Sequence, residues 1–170
     1  MNSTIGFGGG CHWCTEAVFK ALRGVSEVDQ GFIKSNPPAD SFSEAIRLRF
    51  DSELIPETAL IEVHLRTHAS TSKHSFREKY RSAVYVYDDA QRCRVAQALQ
   101  VLQNKFSAPL VTQVLPFVEF RFSDERYHQY YEKQTSAQFC RRYIDPKLDM
   151  LKAEYKELLS PDYKGTSVSG

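Results

Sequence analysis

Gly6-Phe7-Gly8-Gly9-Gly10-Cys11-His12-Trp13-Cys14-Thr15-Glu16 is the stretch on which the reading of this chain turns. A short run leads into a glycine cluster, then a cysteine, then residues with helical spacing. The order predicts a strand over residues 5–8 and a helix over 11–22, in which Val18 and Leu22, like Trp13 and Ala17, stand four apart. Cys11 then lies at a helix N-terminus, with a second thiol, Cys14, three residues on. Unpaired backbone N–H groups and a partial positive charge at that end favour thiolate over thiol. Cys11 is therefore expected to be a reactive cysteine of low pKa. The glycines before it let another molecule approach closely.

Downstream, Gly24 is placed to end the helix, and residues 25–33 form the next expected strand. Ser35-Asn36-Pro37-Pro38-Ala39-Asp40 is a loop by its breakers. Residues 42–50 alternate, with Phe42, Ile46, Leu48 and Phe50 on one face and Arg47 and Arg49 on the other. Glu44 falls on the apolar face. Pro56 opens a helix running to about Thr67. Residues 69–79 are polar and irregular, and 83–87 form a strand. A helix over 89–106 carries Cys93, Ala96, Leu99, Leu102 and Phe106 on one stripe, which makes Cys93 a core residue. Residues 110–122 are one strand region, bent at Pro116. Ser123 caps a helix through Tyr131. Asp145-Pro146 caps and opens the last helix, with Leu148, Leu151 and Tyr155 on one side. Alternating strands and helices predict an α+β or α/β domain of two layers, spanning 1–165 with a disordered tail over 166–170. Strand order does not follow from the sequence.

At 170 residues the chain suffices for one domain with a sizeable core. Its 42% hydrophobic and 25% charged residues are ordinary for a soluble globular protein. A net charge of +1, with basic residues dispersed, argues against nucleic acid or an anionic membrane as partner. No apolar run approaches membrane-spanning length, and Met1-Asn2-Ser3-Thr4 has no signal pattern. The expectation is a cytoplasmic monomer. In that reducing compartment four cysteines read as catalytic, metal-binding or buried rather than as a disulfide framework. His64 and His68 have metal-ligand spacing but no partner in a recognised pattern, so packing is the expected role.

Gly10-Cys11-His12-Trp13-Cys14-Thr15-Glu16, followed by Ala17-Val18-Phe19, resembles the hallmark of the A-type peptide methionine sulfoxide reductases. Further likenesses run in order: Ser43-Glu44-Ala45, Lys79-Tyr80-Arg81-Ser82-Ala83, Tyr127-His128-Gln129-Tyr130-Tyr131, and Phe139-Cys140 with Pro146-Lys147. They span roughly residues 4–152. The resemblance implies a two-layer α+β fold, a ferredoxin-like mixed sheet with packed helices. It implies reduction of methionine-S-sulfoxide with no cofactor, thioredoxin or another dithiol serving as reductant. Departures stand beside it. His12 replaces the usual phenylalanine, the loop before Glu44 is short and lacks a sulfoxide-binding tyrosine, and Ser75 occupies an aspartate position.

Sulfoxide reduction needs a nucleophile on sulfur and an acid for the departing oxygen. A thiolate suits the first role, and Cys11 is its candidate. Glu44 is the candidate acid, since desolvation on an apolar face favours the protonated carboxyl. The resemblance makes Tyr80 a hydrogen-bond donor to the sulfoxide oxygen and Trp13 an apolar wall for the substrate methyl group. His12 either packs edge-on in that wall or adds a proton donor or charge near Cys11. Glu16, as a first-turn acid, would pair with the helix dipole, and His128 would order the site. A Cys11 sulfenic acid can condense with a second thiol. Cys14 and Cys140 are both candidates to resolve it. Three rivals compete. One is a zinc site of Cys11, His12, Cys14 and Cys140, disfavoured because adjacent Cys-His ligands aim poorly at one ion. Another is a general dithiol oxidoreductase using Cys11-x-x-Cys14. The third is an impaired relative serving as redox sensor or sulfoxide-binding protein.

Overall fold

The computed structural model describes residues 2–73, 79–123, 142 and 144–163. The expected helix over 124–131, with His128, lies outside them, as do Ser75, Cys140 and the tail over 166–170. The chain runs β1 (Asn2–Gly8), α1 (His12–Lys20), β2 (Val25–Lys34), β3 (Ser43–Asp51), α2 (Glu57–Arg66), β4 (Ala83–Val86), α3 (Asp89–Leu102), β5 (Gln113–Pro116), β6 (Glu119–Phe122) and α4 (Asp145–Glu154). Six strands form one mixed sheet in the order β5-β4-β1-β3-β2-β6. Only the β4–β5 pair is parallel; the other neighbours are antiparallel. With helices packed on the sheet, this is the expected α+β class.

One face of the sheet carries the main core. Ile5 and Phe7 of β1 and Ile46, Leu48 and Phe50 of β3 meet Val18 and Phe19 of α1 and Leu60, Ile61 and Val63 of α2. Phe7 and Phe19 stack with centroids 4.8 Å apart. Each fully buried side chain of this kind contributes about 1.5–3 kcal/mol. Because side chains alternate along a strand, Ala45 faces the other way, into a smaller cluster with Ile33, Ala83 and Tyr85. Glu44 therefore shares the α1 side with Ile46, as its spacing predicts.

Two expectations fail. Residues 110–122 are not one bent strand. They form β5 and β6 at opposite edges of the sheet, separated by Phe117 and Val118 alone. Phe117 N–H donates to Val86 O at 2.8 Å and Val118 N–H to Lys34 O at 3.1 Å. So short a link requires the sheet to curl until its edges approach. Pro116, lacking an N–H, ends β5 rather than bulging it. The second failure is the face of α3. Its buried stripe is Gln91, Val95, Ala98 and Leu102, and Cys93 is exposed. Gln91 is admitted to the core because its amide donates to Thr4 O and to the Glu57 carboxylate, both at 3.0 Å, which satisfies a buried polar group.

Candidate active site

Cys11 stands at the N-cap of α1. Its carbonyl accepts from Cys14 N–H at 3.1 Å and Thr15 N–H at 3.2 Å, which closes the first turn. The approach to it is set by Gly9, whose φ of +149° favours glycine. A Cβ there would also collide with the His68 imidazole. That ring is held from behind: His68 Nδ1 donates to His64 O, and Nε2 lies 2.8 Å from Ser82 Oγ. His64 Nε2 donates to Gly8 O at 2.7 Å. The two histidines therefore buttress the glycine turn, which is the packing role expected of them.

Cys11 is half-buried, Cys14 is buried, and neither is in a disulfide. Their thiols hydrogen-bond each other and behave as one acid with two sulfurs. That bond raises the Cys11 pKa first, with burial and the neighbouring sulfur's charge adding to it and the Trp13 N–H opposing. The same bond lowers Cys14, against burial and with help from Lys147 of α4. The expectation of a low-pKa Cys11 is corrected accordingly. The shared hydrogen bond thus moves the Cys11 pKa up and the Cys14 pKa down.

Glu44 is buried beside them, with charge interactions to both sulfurs. Its backbone N–H donates to Lys79 O at 2.9 Å. Its Oε1 lies 3.2 Å from His12 Nε2 and its Oε2 lies 3.8 Å from Lys79 Nζ. His12 Nδ1 in turn reaches Gly31 O at 2.9 Å. The His12 ring also meets Phe32 edge-on, their centroids 5.3 Å apart. Among the described residues no group of three or more His, Cys, Asp or Glu side chains is arranged to hold a metal ion.

Tyr80 is half-buried, and Lys79 links it to Glu44. The Lys79 ammonium hydrogen-bonds Tyr80 and lies 5.1 Å from its ring centroid. The bond to Tyr80, then the Glu44 charge, raises the Lys79 pKa. Trp13 is half-buried next to His12, their ring centroids 6.4 Å apart. Glu16 sits one turn inside α1 and is buried, so it is not the first-turn acid its number suggested. The short loop before Glu44 is tied down by Arg81, whose guanidinium donates to Ser41 O and Oγ at 3.0 and 2.7 Å. Sequence reasoning missed Lys79 and Lys147 as charged neighbours of the site. Each stands within a quoted motif, but nothing in the spacing announces its partner.

A hydrogen-bonded dithiol at a helix start, beside a buried carboxyl and on a mixed sheet, defines a class: thiol-dependent oxidoreductases of α+β fold. The family follows from comparison. A family model described as peptide methionine sulfoxide reductase matches residues 3–159. Peptide methionine sulfoxide reductase MsrA of Thermus thermophilus is 34% identical over 169 residues, covering 90% of this chain and 95% of that protein. Mxr1 from Saccharomyces cerevisiae in reduced form shares the fold with a TM-score of 0.72 at 20% identity, over 84% of this chain and 91% of that one. The same yeast protein in complex with Trx2 matches with a TM-score of 0.61 at 19% identity, over 75% and 84%. This chain is a thiol-dependent oxidoreductase that belongs to the peptide methionine sulfoxide reductase family.

Proposed function

We propose that the chain reduces methionine-S-sulfoxide, free or in proteins, to methionine, and so repairs proteins under oxidative stress. The observation that carries this is the meeting of the Cys11–Cys14 dithiol with the buried Glu44 carboxyl, in a chain of this family. The shared proton passes from Cys11 to Cys14, and the Cys11 thiolate attacks the sulfoxide sulfur. Glu44 gives a proton to the sulfoxide oxygen, aided by a hydrogen bond from Tyr80. The oxygen passes to Cys11, which becomes a sulfenic acid as the substrate leaves as the thioether. Cys14, still protonated, then displaces water and forms a disulfide. Cys140 is the alternative or second relay thiol. Thioredoxin or another dithiol reduces the disulfide, a role supported by the fold relative solved with Trx2. Trp13 and the edge of His12 wall the methyl group.

Single-turnover reduction of a methionine-S-sulfoxide peptide by pre-reduced protein, without external reductant, tests this reading. One methionine per chain is expected, with a disulfide at Cys11 located by mass spectrometry. The R epimer gives none. No methionine, with Cys11 still open to alkylation, would overturn it in favour of a sensor or binding role.

A further inference from the structure

His12 stands where the resemblance implies a phenylalanine, and its surroundings are specific. It is buried, and each ring nitrogen faces an oxygen. Nδ1 lies 2.9 Å from Gly31 O, and a carbonyl can only accept, so Nδ1 carries a hydrogen. Gly31 is itself locked in β2, where a Cβ would collide with Arg121 O of β6. The tautomer is therefore set from behind. Nε2 then has two states. On a neutral ring it is an acceptor, and its 3.2 Å contact with Glu44 Oε1 requires a protonated carboxyl. On an imidazolium it is a donor, and the carboxyl is ionised. A neutral ring against an ionised carboxylate would set lone pair against lone pair between two buried groups, which is costly.

We propose that His12 is a positioning residue that holds the acid proton on Glu44, the two side chains sharing one proton between Nε2 and Oε1 when Cys11 reacts. The proposal rests on the reading of Glu44 as the acid. Neighbouring charges bear on the pair from each side. Lys79, 3.8 Å from Oε2, favours the ionised carboxylate. The Cys11 and Cys14 sulfurs lie within charge range of Glu44 on the other side. From β2, Phe32 adds no charge and covers one ring edge. The proton count then closes. A dithiol that has lost one proton keeps one, and the His12–Glu44 pair keeps one. Sulfoxide oxygen, these two protons and the two electrons of the forming disulfide give one water and one thioether. After the turnover His12 is neutral and Glu44 ionised, and the pair regains its proton from solvent.

The test is nitrogen NMR of the His12 ring against pH in the reduced protein, with single-turnover pH profiles beside it. In the wild-type chain Nδ1 should stay protonated throughout. The titration step at Nε2 should move down by one pH unit or more in Glu44→Gln, because the carboxylate that stabilises the imidazolium is gone. His12→Phe places the family's usual residue in the same space. It should move the alkaline limb of the single-turnover profile to lower pH, since Lys79 then acts on the carboxyl with no imidazole to retain the proton. An Nε2–H tautomer in the wild type, an unmoved titration step in Glu44→Gln, or an unmoved alkaline limb in His12→Phe would each overturn the proposal. The NMR readout needs no substrate. If it behaves as expected while the wild type makes no methionine, the shared proton stands and the reductase reading falls.

Discussion

The cleft bounded by α2 and α3 and the start of α1 both gather acids and bases, and they use them differently. The cleft encloses about 960 Å³, with Glu57, Glu62, Arg94, Lys105 and Tyr155 among its lining. Its charges pair closely, Arg94 Nε with Glu57 Oε1 at 3.0 Å and Lys105 Nζ with Glu62 Oε1 at 2.8 Å. Yet Arg94 and Lys105 are more than half exposed, at 56% and 54%, whereas His12 and Glu44 are 5% and 8% exposed. Water screens the first set, and such pairs are worth little. At the start of α1 the charged groups are buried, so an unpaired proton or charge there costs more and the neighbours weigh more. None of the cleft's lining residues is a nucleophilic thiol, and the thiols sit beside a buried carboxyl.

The comparison breaks most sharply at Cys11. Cys11→Ser should abolish methionine formation in the single-turnover assay while leaving the fold intact, because serine fills the N-cap site; retained turnover would move the chemistry elsewhere. Next comes Glu44→Gln, which removes the acid and keeps the shape. General acid catalysis contributes about 10²–10⁴-fold, and a rapid-quench measurement should show a loss in that range. An unchanged rate would reduce Glu44 to the standing of the cleft carboxylates.

A third substitution sharpens the picture of the dithiol. The hydrogen bond from Cys11 is the first cause of the lowered Cys14 pKa. Cys11→Ala deletes that donor, so the thiolate on Cys14 should form at higher pH. Rates of alkylation followed residue by residue across pH would show the shift. No shift would mean that Lys147 and the helix end set the Cys14 ionisation by themselves.

These particulars also show what the sequence discloses and where it stops. The turn from β1 through the glycines into α1, and the placement of Glu44 on the face that α1 covers, were legible because both rest on short-range periodicity. The face of α3 was not, because apolar letters suggested a stripe through Cys93. The true stripe begins with a glutamine whose partners lie on β1 and α2. Residues 110–122 read as one strand because nothing local reports that the sheet curls and that its two edges each claim half of the segment. Within the site, Cys11 and Cys14 were legible as a pair, but the sulfur holding the proton depends on a hydrogen bond between them. His12 was legible only as a departure, since Gly31 and Glu44 come to its ring from two other strands.

The smallest expected effect belongs to the cleft, and it carries a sign in pH. Burial pushes the Glu62 pKa up, but hydrogen bonds from Lys105 and Tyr155 outweigh it and hold the carboxyl below its ordinary range. A carboxyl so held adds stability above its unfolded pKa, and that stability fades as pH falls through the folded value. Lys105→Met should therefore cost at most about 1 kcal/mol near neutral pH, the usual ceiling for a solvent-facing pair. The difference from wild type should shrink below about pH 4, where carboxylates take up protons. It should shrink with added salt as well. Sulfoxide reduction should not change. Urea unfolding of both chains at neutral and acid pH reads the first effect, and the single-turnover assay reads the second. A loss of several kcal/mol, or a slowed turnover, would mean that the cleft is coupled to the α1 site through the core that α1 and α2 share, and the contrast between the two regions would have to be withdrawn.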